Sequence, residues 1–141
     1  MSISKSIIPL LLVVALSVVV FVATSPAALP PGSYEKLKAE AQEKLSIKII
    51  GVETKEQSDR RLDVLFAAEV LAVERSETCL KAGDTIQIQS YRWIERYAGP
   101  KNPPLLPVGW TGIAYLNKAD DEDADNLYTL AAYGDSFEES Q

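Results

Sequence analysis

The first 27 residues follow a different hydrophobic pattern from the rest of the chain. Residues 7–23 (IIPLLLVVALSVVVFVA) carry no charged side chain, follow the basic Lys5, and precede the small residues Ser25 and Ala27. A basic start, an apolar segment and small residues at positions −3 and −1 are typical of an export signal, here with cleavage after Ala27. The pattern therefore predicts that residues 1–27 direct export.

The length of this apolar segment leaves a second interpretation open. A membrane-spanning helix needs about 17–25 apolar residues, and residues 7–23 reach the lower limit of that range. An uncleaved amino-terminal anchor is therefore the alternative, with membrane contact through residues 7–23. Both interpretations predict that the remaining domain is extracytoplasmic, either periplasmic or secreted.

A linker and one short helix are predicted next. Residues 28–33 contain two prolines and a glycine, which oppose regular helix and indicate a linker. Ser33 is a candidate N-cap for a helix over residues 34–45. Apolar side chains recur there at helical spacing, at Tyr34, Leu37, Ala41 and Leu45.

After this helix the hydrophobic period changes to two, which is typical of antiparallel β structure. Five strands are predicted, at residues 46–54, 61–74, 85–97, 108–117 and 127–133. The second is longer than the usual 3–10 residues, which indicates a strand that bends around a barrel and pairs with both halves. A small five-stranded antiparallel barrel of the oligomer-binding type is therefore predicted over residues 34–134, followed by an acidic tail at 135–141. A β-sandwich is the alternative.

Several segments resemble a known family of barrels. They are AEVLAVERS at residues 68–76, LKAGDTIQI at 80–88 and AYLN at 114–117, together with Gly99, Pro100, Leu106 and Gly109. This pattern, which covers residues 68–137, resembles bacterial netrin-like modules, the barrel found in tissue inhibitors of metalloproteinases. The resemblance implies the barrel topology. It does not carry over protease inhibition, because those inhibitors act through an amino-terminal cysteine and several disulfides, and here the only cysteine is the internal Cys79.

Composition and charge exclude several functions. The 141 residues include no histidine, so neither a Ser-His or Cys-His nucleophile nor a His-ligated zinc site can form. The net charge is −6, and from Asp120 onward the chain has acidic residues but no basic one. A near-neutral body with an acidic end lacks the positive field that nucleic acids require, so no nucleic-acid partner is predicted.

Two further candidates are interpreted as structural. A lone cysteine cannot form an internal disulfide, and Cys79 is predicted to be a half-buried residue in a turn, with an intermolecular disulfide or reactive thiol as the alternative. The acidic segment at residues 120–125 does not fit the calcium loop of an EF-hand, because counting from Asp121 the sixth position is Asn126 instead of glycine. A solvated hairpin loop is predicted there, with no metal and no cofactor.

The aromatic third strand gives the strongest local signal for binding. In an uninterrupted strand Ile86, Ile88 and Ile94 share the inward face, whereas Tyr91, Trp93 and Tyr97 share the outward face with two glutamines. Three rings on a polar face have two explanations: the loop 103–107 or the helix covers them as a satellite core, or they are exposed as a binding platform. The candidate residues of the platform are Tyr91, Arg92, Trp93, Arg96, Tyr97 and Lys101. A β-bulge that reverses the facing is a further alternative.

The function predicted from these observations is a non-catalytic extracytoplasmic module that binds or scaffolds a protein, peptide or glycan. In one form it is an accessory subunit tethered to the membrane by its amino terminus. The alternative is a small secreted enzyme acting through paired carboxylates. Glu69 stands out as an acid within the long apolar strand, although strand parity places it on the outward face.

Cleavage after Ala27 is testable by intact-mass measurement of the exported protein. We expect a mass corresponding to residues 28–141, because small residues occupy both cleavage positions. A full-length mass would instead support the anchor. Recovery of the full-length protein as a soluble cytoplasmic product would contradict both interpretations.

Overall fold

A computed structural model describes residues 29–58, 60–95 and 98–140. The apolar segment 7–23, predicted to be a signal or an anchor, lies outside these residues. Within the described ranges, no helix has the length and apolar character needed to cross a membrane.

Within the described residues, one short helix precedes six strands. The elements are α1 (Ser33–Glu40), β1 (Glu43–Ser58), β2 (Arg61–Ser76), β3 (Thr85–Trp93), β4 (Thr111–Lys118), β5 (Leu127–Leu130), a 3-10 turn (Tyr133–Ser136) and β6 (Phe137–Glu139). Strand β1 pairs with β2 along its length and also with β4 through residues 43–48. The order β1-β2-β3-β5-β4 therefore closes on itself, which confirms the predicted five-stranded barrel. The β3–β5 pairing is parallel and the others are antiparallel.

The inward-facing side chains form one continuous core. Period-two alternation in β1, β2 and β3 points aliphatic side chains and Phe66 into the barrel, as predicted. Register shifts in the β1–β2 pair, for example between Ile49 and Gly51, indicate bulges that help the two long strands bend. The fully buried members of the core include Leu45, Ile47, Ile49, Phe66, Ala68, Val70, Ile86, Ile88 and Leu116.

The main differences from the prediction are the end of the helix, the end of β3 and an additional strand. The helix ends at Glu40 instead of residue 45, because Leu45 is fully buried in β1 and its barrel contacts outweigh its helical spacing. Strand β3 ends at Trp93, so Ile94 is 54% exposed and does not share the inward face. Strand β6 was not predicted. It pairs with β4 opposite Gly112, where a Cβ atom would collide with Glu138 O and the Trp110 ring.

None of the residues of α1 is buried. Polar contacts therefore hold the helix against the barrel. The Lys38 ammonium contacts Glu138 Oε1 at 2.8 Å and Asp135 Oδ2 at 3.0 Å. Arg75 donates hydrogen bonds to the carbonyl oxygens of Lys38 and Ala41 at the end of the helix, each at 2.9 Å. The helix is therefore attached mainly through charge.

These contacts shift two pKa values. The hydrogen bond to Glu138 is the largest cause that raises the pKa of Lys38. Burial pushes the pKa of Asp135 upward, but hydrogen bonds from Lys38 and Lys101 outweigh it, and the net pKa lies below its ordinary value. Ionised Asp135 therefore stabilises the folded protein above its ordinary pKa of about 3.9. That contribution is lost as the pH falls through the lowered value.

Replacing Lys38 with methionine should remove this stabilisation. We expect Lys38→Met to lower the free energy of unfolding at pH 7 by about 1–2 kcal/mol, because charge-assisted hydrogen bonds contribute about 1.5–3 kcal/mol and partial solvent exposure reduces that value. The difference between wild type and variant should shrink below about pH 4. Urea unfolding at several pH values measures it. A difference independent of pH would contradict the role given to Asp135, and Lys36→Met on the exposed face of α1 is the control.

Candidate functional site

The outward face of β2 and β3 carries the aromatic residues singled out in the sequence. Register pairs Arg61 with Trp93, Asp63 with Tyr91, and Leu65 with Gln89. Pairing between β2 and β3 is continuous through Trp93, so the β-bulge alternative is wrong for this part of the strand. Tyr91 and Trp93 therefore share the outward face with Gln87 and Gln89, as predicted, and both are half-buried.

The Arg61 guanidinium lies over both rings. Its central carbon is 4.8 Å from the centre of the Tyr91 ring and 5.6 Å from that of Trp93. Its Nε atom lies 3.3 Å from Asp63 Oδ1 as an ion pair, without the geometry of a hydrogen bond. A cation over aromatic faces is attracted by their electron density, typically by about 0.5–1 kcal/mol at exposed sites. Arg61 therefore packs against the two rings while its own side chain stays 41% exposed.

Asn102 holds the end of β3 in place. Its side chain accepts a hydrogen bond from Trp93 N and donates one to Trp93 O, each at 2.9 Å. The amide thus acts as a strand partner for Trp93. The adjoining loop reaches the inward side of β3, because Leu106 is buried in the core and Pro103 O accepts a hydrogen bond from Arg92 Nη1.

The predicted site residues do not all lie together. Tyr91 and Trp93 form one surface, whereas Arg92 points to the inward side. Lys101 donates its backbone N–H to Tyr34 Oη at 2.6 Å, and its ammonium contacts Asp135 at 3.1 Å, within the network that holds the helix. Arg96 and Tyr97 lie outside the described residues.

An open groove of about 560 Å³ is lined by Arg61 and Tyr91, and Trp93 lies outside its lining. Its side chains come from β1, β2, β3 and β5 and from the turn after β5. Neighbouring register positions bring them together, since Lys55 pairs with Asp63 and Gln89 pairs with Thr129. The lining includes Glu53, Lys55, Arg61, Asp63, Leu65, Gln89, Tyr91, Thr129 and Tyr133.

Arg61 and Tyr133 were missed by sequence reasoning. The position of Arg61 over the rings depends on the β2–β3 register, which no local pattern reveals. Tyr133 has a positive φ of 50°, a conformation that costs a non-glycine residue about 1 kcal/mol. The following Gly134 lies so close to the loop that a Cβ atom would come within 2.5 Å of Asn102 O. In the sequence, the pair Tyr133-Gly134 could have indicated a tight turn with an exposed tyrosine ring.

Glu43 is a buried carboxylate that was also missed. It accepts hydrogen bonds from Ser76 Oγ at 3.0 Å, from the backbone N–H of Glu77 at 2.8 Å, and from both the N–H and the hydroxyl of Thr78. The same Thr78 hydroxyl lies 2.8 Å from Tyr128 Oη, and burial is the largest cause that raises the pKa of Tyr128. Because protein donors surround this carboxylate, we interpret Glu43 as structural.

The other chemical candidates are accessible surface features. Cys79 lies after β2 with a φ of 64° and is exposed, so its predicted half-burial is wrong. Asp120, Asp121, Glu122 and Asp123 are exposed in the loop between β4 and β5. Within residues 29–58, 60–95 and 98–140, no group of three or more acidic, cysteine or histidine side chains could hold a metal ion.

Comparison with known proteins adds no family to this description. Neither a protein-family model nor a curated protein sequence matches the chain.

Proposed function

We propose that this protein is a non-catalytic extracytoplasmic binding module that captures a protein, peptide or glycan on the outward face of β2 and β3. The observation that carries the proposal is the cluster of Arg61, Tyr91 and Trp93 beside the open groove. Aromatic residues and arginine contribute most of the energy at many interfaces, because they combine a large contact area with directional polar groups.

Contacts within the protein support preorganisation of this surface. Arg61 packs over the two rings, and the Asn102 amide is hydrogen-bonded to the backbone of Trp93. Binding a partner therefore costs less conformational entropy at these side chains than it would if they were mobile before binding. Preorganisation of this kind favours recognition.

The amino terminus supports a scaffolding form of the proposal. The helix α1 follows the predicted linker at residues 28–33. Its ion pairs and hydrogen bonds through Lys38 and Arg75 hold it on the barrel. If that apolar segment is retained, α1 connects the binding domain to the membrane. The protein would then act as a tethered accessory subunit.

A small secreted enzyme acting through carboxylates is the second candidate. The observation behind it is that Glu53 and Asp63 line the same groove on neighbouring strands. Two carboxylates across a bound sugar are the catalytic arrangement of most glycosidases. Against this role, Asp63 is already engaged by Arg61. Hydrolysis of a sugar substrate that is lost in both Glu53→Gln and Asp63→Asn would favour the enzyme over the binding module.

The binding module is tested by Trp93→Ala. Because Trp93 is half-exposed, we expect a loss of less than about 2 kcal/mol in the free energy of unfolding, compared with about 3–5 kcal/mol for an aromatic side chain in a core. Capture of partners from the cell envelope by the immobilised exported protein should fall at least tenfold. Quantitative mass spectrometry of the captured material measures that change.

Ile94→Ala is the matched control. Ile94 is the next residue along the chain and is more than half exposed, so its loss removes apolar area beside the cluster without touching the rings. We expect this variant to capture the same partners as wild type. Unchanged capture by Trp93→Ala, or a loss of stability in the range of a core residue, would contradict the proposed surface.

A further inference from the structure

We infer that the groove binds a neutral oligosaccharide. This inference rests on the proposed function and names the ligand class of the same surface. Three features of the groove support it: the balance of its charges, its aromatic side chains, and the hydrogen bonding of the backbone of β2 and β3 within the sheet.

The ionic side chains of the groove balance one another. Glu53 and Asp63 supply two negative charges, and Lys55 and Arg61 supply two positive charges. Gln89 and Thr129 add neutral groups that both donate and accept hydrogen bonds. A lining with mixed donors and acceptors and no net charge complements a ligand with many hydroxyl groups better than it complements an ion, because an ion would meet a like charge wherever it found an opposite one.

Two tyrosine rings line the groove together with the aliphatic side chains of Leu65 and Leu130. Tyr91 lies on the sheet, where Arg61 packs over its ring, and Tyr133 lines the groove from the turn after β5. Tyr133 is 38% exposed, and its turn is held by the hydrogen bond from Gly134 N to Lys101 O at 2.9 Å. One face of a pyranose ring consists largely of C–H groups, which pack well on aromatic side chains, while its hydroxyl groups reach the polar residues between the rings.

Along β2 and β3 the strand backbone is already paired within the protein, which favours side-chain recognition over addition of a peptide strand to β3. At the centre of the groove β2 is paired with both β1 and β3, and Gln89 of β3 is paired with β5. Beyond that pairing, the Asn102 amide occupies Trp93 N and O. An extended peptide would need free backbone groups at such an edge. The volume of about 560 Å³ lies within the usual 300–1,000 Å³ of small-ligand sites, and the open form lets a chain extend beyond it.

The test titrates the exported protein with defined tetrasaccharides and follows backbone amide NMR signals. The neutral probes are β-1,4-linked tetramers of glucose and of N-acetylglucosamine. The charged probes are a tetramer of galacturonic acid and a tetramer of glucosamine. We expect at least one neutral tetramer to shift the amides of Gln89, Tyr91 and Tyr133, with at least tenfold weaker binding of both charged probes.

Variants assign the binding to the groove. Tyr133→Ala should weaken binding of the neutral tetramer at least tenfold, whereas Tyr133→Phe should keep most of it because the ring remains. Val108→Ala removes an apolar side chain that is 64% exposed and does not line the groove, so it should bind like wild type. Thermal unfolding of each variant checks that the fold is retained.

Each outcome separates this inference from the proposed function. If no neutral tetramer binds, or if a charged tetramer binds as tightly, the inference of a neutral glycan is overturned. Should partner capture still depend on Trp93 in that case, the module binds a protein or peptide and the proposed function stands. If capture is independent of Trp93 while a neutral tetramer binds with the expected dependence on Tyr133, the groove is a sugar site and the aromatic cluster is not the capture surface.

Discussion

The double pairing of β1 is the constraint on which the rest of the structure depends. Through residues 43–48 this strand is hydrogen-bonded to β2 on one side and β4 on the other, which closes the barrel. Glu43 lies at the start of this segment, where its buried carboxylate binds the residues that follow β2. Along this segment, closure pairs the edge of β1 that a five-stranded open sheet would leave exposed, and it encloses the aliphatic core.

The candidate site is a consequence of this closure. Beyond residue 48, β1 and β2 continue as a paired extension that carries Glu53, Lys55 and Asp63 to the groove. The β2–β3 register then places Arg61 opposite Trp93. The parallel β3–β5 pair brings the end of β5 close to Gln89, and Tyr133 in the following turn therefore lines the groove. Residues far apart in sequence thus form one surface.

Much of the fold could be predicted from the sequence, and the site could be predicted only in part. Period-two alternation predicted β1, β2 and β3, because each of them buries one face over much of its length. Strands β4 and β5 bury consecutive residues and were predicted as apolar runs between turn segments. The helix end was misplaced because the spacing of Leu45 fits both a helix and a strand, and only the tertiary core decides between them. The short acidic β6 has no apolar pattern to reveal it. Tyr91 and Trp93 were placed by parity, whereas Arg61 required knowledge of which residues face each other across strands.

Glu43 anchors the strand that closes the barrel, and the substitution Glu43→Gln tests this role most directly. Glutamine keeps the size of the side chain but places an NH₂ group among donors that require an acceptor, so one or more buried groups lose a partner. We predict a loss of about 2–3 kcal/mol in the free energy of unfolding. Amide hydrogen exchange should become faster in residues 43–48 and 111–116 than in the β2–β3 pair. Glu56→Gln, on the exposed part of β1, is the control. Unchanged stability and exchange in Glu43→Gln would contradict the account.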